Sequence, residues 1–162
     1  MRPEPGLSPS RASDFTQCPL LYRFRTIDKL PEAPQRATTL GTLVHAVLER
    51  LFDLPPAQRT RDAATDLIPL EWKRYVDKEP AITELVTDSA DAAQFFDDAR
   101  ARLGMYFAME NPERLAPAGR ELRLEASLEG GPAIRGVIDR MDVAPDGAIR
   151  IIDYKSGATP KA

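Results

Sequence analysis

The chain has 162 residues, 43% of them hydrophobic and 29% charged, with a net charge of −3. That is the balance of a soluble globular protein long enough to bury one core. No apolar run approaches the roughly 20 residues a membrane helix needs, and the opening MRPEPGLSPSRAS lacks the apolar stretch of a secretory leader. A single cysteine, Cys18, excludes an internal disulfide and suits a reducing cytoplasm.

In chain order, the first 36 residues are locally basic: Arg2, Arg11, Arg23, Arg25, Lys29 and Arg36 face only Glu4, Asp14, Asp28 and Glu32. Such a segment is either a solvated helix surface or one that touches phosphates, since phosphate contact requires clustered cations. SPSRASDF opens with serines suited to capping a helix, and Pro19 fits the start of a second short helix. PEAPQ is a loop. TTLGTLVHAVLERLF is the clearest helix, with Leu40, Leu43, Val44, Val47, Leu48, Leu51 and Phe52 on one apolar stripe. DLPPAQ ends it, because proline cannot continue a helix. Further helical stretches are expected over 61–78, with Pro69 as a break, and over 91–109.

After about residue 115 the apolar period changes from helical to alternating. In ELRLEASL, Leu122, Leu124, Ala126 and Leu128 alternate with Glu121, Arg123, Glu125 and Ser127, as in a strand with one wet face. AIRGVIDRMDV predicts a second strand, PDG a turn, and AIRIIDYK a third strand. The chain thus divides into a helical part (1–115) and a β part (116–162) of one domain.

A three-residue loop at 145–147 pairs Ala144 with Ala148. Asp142 then faces Arg150, Met141 faces Ile151, and Val143 faces Ile149. The same register puts Asp139 directly across from Asp153, with Lys155 on their face two residues on. Opposed carboxylates among apolar neighbours repel. A shared Mg²⁺ or Mn²⁺ is one remedy, since hard oxygen ligands at that spacing can hold one ion. Lys155 beside it would stabilise developing negative charge. The plainer reading is a solvent-exposed aspartate and a surface Asp–Lys pair. His45, the only histidine, lies on the shoulder of the apolar stripe; it is either a half-buried packing residue or a metal ligand.

GTLVHAVLE, GVIDRMD and IIDYKSG together resemble the RecB/AddB-type nuclease branch of the PD-(D/E)XK superfamily, and LSPSRASDFTQCPLLYRFR is similar to its usual opening segment. The resemblance implies an α/β, restriction-endonuclease-like core of N-terminal helices and a mainly antiparallel sheet. It implies His45, Asp139 and Asp153 as metal ligands, with the Tyr154 carbonyl as a further one, and Asp139, Asp153 and Lys155 as the catalytic group. Glu121 stands near where some relatives carry an additional acid, although it shares a polar face with Arg123 and Glu125. The implied activity is Mg²⁺- or Mn²⁺-dependent hydrolysis of DNA phosphodiesters, exonucleolytic and cytoplasmic, in repair or recombination, with a helicase subunit or domain as partner.

The family core continues past the lysine with a helix and a strand. This chain is therefore expected to be incomplete at its C-terminus. Some relatives hold an iron–sulfur cluster on four cysteines; Cys18 matches the first of these alone, so a cluster would require a longer form of the protein. A catalytically silent nucleic-acid-binding or assembly module built on the same fold is the rival expectation. Metal-dependent cleavage of linear DNA separates the two.

Overall fold

The computed structural model describes residues 6–127, 129, 131 and 133–155. Leu128, expected on the first strand's apolar face, and the Gly157 that closes the last motif lie outside the described residues.

The apolar stripe read from the sequence builds helix α3 (Arg36–Leu51). Leu40, Leu43, Val44, Val47, Leu48 and Leu51 are all buried, and Phe52 closes the row. Helices α4 (Arg61–Lys78) and α5 (Ser89–Met109) pack on α3 and on each other. Small side chains at Ala64 and Ala99 bring the helices close, and Ile68, Phe95 and Leu103 fill the space between. Each fully buried aliphatic or aromatic side chain there contributes about 1.5–3 kcal/mol. Thr60 and Asp88 cap α4 and α5 by accepting backbone N–H groups with their side chains.

Pro69 does not break α4; the helix runs through it. Ala64, Ile68 and Trp72 on either side are held in the core, and that packing outweighs the one backbone hydrogen bond a proline removes.

The sheet has three strands in the order β1 (Pro117–Ser127), β2 (Ala133–Val143), β3 (Ile149–Ile152). The β2–β3 register is the one expected: Asp142 faces Arg150, Met141 faces Ile151 and Val143 faces Ile149. The Ala144 N–H donates to the Ala148 carbonyl at 2.8 Å. Gly147 closes the turn at φ 86°, a left-handed value that glycine adopts without strain.

Two expectations about the hairpin are corrected. First, β3 stops at Ile152 rather than running to Lys155. The last laddered pair is Arg140 with Ile152, because the next inward N–H, that of Tyr154, donates to the Asp139 side chain instead of to a strand carbonyl. Second, the apolar residues flanking Asp139 and Asp153 do not all lie covered: Val143, Ile149 and Ile151 are exposed, whereas Arg140 is completely buried. In β1, Leu124 is exposed too, so that part of the strand lacks the expected dry face.

The described residues gather into two compact units. One comprises those of Ala33–Arg120 with Asp139–Ala162, and the other those of Met1–Glu32 with Glu121–Ile138. In the second unit, Ser8 caps α1 (Pro9–Gln17), accepting from the Arg11 N–H. Pro19 opens α2 (Pro19–Tyr22) as expected. A π-helix over Arg23–Asp28 follows, ended by Lys29 in left-handed backbone at φ 51°. Leu7 forms a parallel bridge to Ile134 of β2.

Candidate metal centre

Three segments of the first unit meet at one imidazole. His45 projects from the flank of α3, half-buried beside the core row. Asp139 comes from the middle of β2, its side chain 12% exposed. Tyr154 follows the end of β3, its ring packed edge-on against the His45 ring with centroids 5.8 Å apart.

The Tyr154 peptide joins the other two. Its N–H donates to Asp139 Oδ2 at 2.6 Å, and its carbonyl oxygen lies 2.6 Å from His45 Nε2. A carbonyl can only accept, so the proton of the neutral ring sits on Nε2. The lone pair is thereby left on Nδ1, which faces Asp139 Oδ1 at 3.6 Å. Two acceptors aimed at each other across that gap require something positive between them: a proton on the ring, or a cation bound by both. Imidazole nitrogen and carboxylate oxygen are both ligands of divalent ions. The Nδ1 and Oδ1 atoms lie within the 4.8 Å that one ion can span. The donor set therefore fits a divalent cation.

The structure brings His45 and Asp139 together and leaves Asp153 and Lys155 with each other. Lys155 Nζ lies 2.5 Å from Asp153 Oδ2, and the two side chains are 82% and 59% exposed. The face-to-face carboxylates expected from strand pairing do not form a ladder pair, because β3 has already ended. His45, Asp139 and Asp153 do not make a three-donor set within 4.8 Å. The hydrogen bond to Asp153, with the charges of Asp153 and Asp139 behind it, holds the Lys155 ammonium above the ordinary lysine value.

Glu121, in the other unit, is exposed and holds a left-handed φ of 46°, a region that non-glycine residues seldom occupy. Two of the basic residues of that unit are met by its own acids. Arg25 pairs with Asp14 at 2.8 Å and with Glu32 at 2.7 Å, and Arg23 pairs with Asp28 at 3.1 Å. Arg2 lies outside the described residues.

Sequence reasoning missed Arg140 and its partners, Tyr106 and Glu110. The available signal was Tyr106 and Glu110, spaced one helical turn apart at the end of α5, opposite a strand bearing Arg140 and Asp142.

Helices followed by an antiparallel hairpin, with an imidazole from a helix and a carboxylate from a strand converging, are the arrangement of a restriction-endonuclease-like nuclease. The chain belongs to the PD-(D/E)XK nuclease superfamily, whose family model matches residues 6–162. It is also similar to the Gene 69 protein of Mycobacterium phage D29, at 28% identity over 177 aligned residues, covering 96% of this chain and 64% of that protein. The chain thus spans less than two thirds of that relative's length.

Proposed function

We propose that this chain is a divalent-metal-dependent deoxyribonuclease of the RecB/AddB-type branch, acting exonucleolytically on linear DNA in repair or recombination. The observation that carries the reading is the pair of facing acceptors, His45 Nδ1 and Asp139 Oδ1, 3.6 Å apart, beside a hairpin followed by Asp153-Tyr154-Lys155. His45 and Asp139 hold the ion. Asp153 is the second carboxylate of the motif and keeps Lys155 charged. Lys155 offers its ammonium to the anionic oxygens of the phosphodiester as charge develops there. A bound divalent cation would polarise a phosphoryl oxygen and lower the pKa of the attacking water.

The cytoplasm as compartment and a helicase subunit or domain as partner rest on the resemblance of IIDYKSG, GVIDRMD and GTLVHAVLE alone. The test is degradation of linear and of covalently closed circular DNA with Mg²⁺ or Mn²⁺, by the wild type and by Asp139→Asn. Metal-dependent loss of linear DNA only, abolished in the variant, is the expected result. Cutting of the circle would make the enzyme an endonuclease. DNA binding without cleavage under either metal would replace this reading with the silent nucleic-acid-binding module.

A further inference from the structure

The geometry points to Arg140 as a positioning residue of the metal centre: buried beneath the hairpin, it anchors the Tyr154 phenol and so fixes the Tyr154 peptide that aims both His45 and Asp139. This inference rests on the metal reading above.

Arg140 is the largest fully buried side chain of the described residues. All of its donors are used. Nε donates to Asp142 Oδ1 at 3.0 Å and Nη2 to Asp142 Oδ2 at 3.2 Å. Nη1 and Nη2 donate to the two oxygens of Glu110 at 2.8 and 2.9 Å. Nη1 also donates to the Tyr154 hydroxyl at 2.8 Å, with the Tyr106 hydroxyl at 3.4 Å. The guanidinium plane rests against the rings of Phe52 and Tyr154, 5.3 and 5.7 Å from their centroids.

Two features make this more than a buried ion pair. The first is its reach. The Tyr154 ring, held at its hydroxyl by Arg140, packs edge-on against both His45 and Tyr106 at 5.8 Å. The backbone of the same residue supplies the N–H to Asp139 and the carbonyl to His45. A shift of the phenol therefore moves both contacts that orient the donors. The second is its charge. A lone guanidinium one residue from Asp139 would repel a divalent ion, but Glu110 and Asp142 neutralise Arg140 and Arg150 in a closed set. The arginine thus positions the centre without opposing its ion. Lysine, a point charge with three donors, cannot replace a planar fork that serves two carboxylates and a phenol.

The chain has one histidine, so its imidazole ¹⁵N signals report His45 alone. The experiment records them for the full chain without metal and then with increasing Mn²⁺, for the wild type, Arg140→Lys, Tyr154→Phe and the double variant. Recorded without metal at a pH where the ring is neutral, the wild type should show the Nε2–H tautomer. Each single variant should show mixed tautomers and a Mn²⁺ affinity lower by about tenfold to a hundredfold, while still melting cooperatively. The double variant should lose no more than the worse single one, because Arg140 acts through Tyr154. A folded single variant that keeps the wild-type tautomer and affinity overturns the proposal. If Arg140→Lys fails to fold, Tyr154→Phe, which removes only the hydroxyl, decides it. If the wild type binds no Mn²⁺, the metal reading fails, and the tautomer comparison still decides whether Arg140 positions the imidazole.

Discussion

The carbonyl oxygen of Tyr154 lies 2.6 Å from Nε2 of His45, and this contact determines which ring nitrogen is free to bind an ion. With Nε2 donating to the carbonyl, Nδ1 is left facing Asp139 Oδ1. The carbonyl that the resemblance offers as a metal ligand is engaged in orienting the imidazole.

A bound ion should stabilise the fold by mass action. At about a hundredfold excess of Mn²⁺ over its dissociation constant the gain is about 2.7 kcal/mol. Thermal melting of the wild type with and without Mn²⁺ should show a rise, and Asp139→Asn should show none. Equal shifts in both proteins would remove Asp139 from the centre.

His45 is on the flank of α3 and not in the core row. His45→Ala should therefore leave cooperative unfolding intact while Mn²⁺ affinity, read by calorimetric titration, falls at least about tenfold, or roughly 1.4 kcal/mol. A variant that binds the metal normally but melts far earlier would mean that the imidazole is a packing residue.

Lys155 is 82% exposed and, among the described residues, pairs with Asp153. Lys155→Met should move stability by no more than about 0.5 kcal/mol and spare metal affinity. Cleavage of linear DNA should drop by about a hundredfold or more, the usual effect of removing one group that stabilises developing charge. Turnover at the wild-type rate would exclude the lysine from the chemistry.

Asp53 accepts from Arg120 at 2.8 Å and from Arg50 at 2.8 Å. The Arg120 hydrogen bond, with the Arg50 contact behind it, holds its carboxyl below the ordinary value of 3.8. A depressed carboxyl contributes stability that is complete above the ordinary value and is lost as pH falls through the folded one. Between about pH 5 and about pH 2 the wild type should lose melting temperature more steeply than Asp53→Asn. Parallel acid limbs would show that the pair contributes nothing.

Much of the fold was legible because it is local. Seven residues of the α3 stripe, the Ser8 cap, Pro19 at the start of a helix and the β2–β3 register follow from side-chain period, capping and turn length, none of which depends on distant partners. His45, Asp139, Asp153 and Lys155 stand out in the sequence by type and spacing against apolar surroundings.

Sequence alone therefore determined the order of helices and strands and the hairpin register. Tertiary structure decided which side chains meet. The Tyr154 N–H turns to Asp139 and ends β3 before Asp153. The helices then cover the Arg140 face of the hairpin, while Ile149 and Ile151 remain exposed. Alternation along a strand separates two faces but does not say which will be covered. A guanidinium whose every N–H finds a carboxylate or a phenol can be buried at a cost that no reading of hydrophobicity along the chain anticipates.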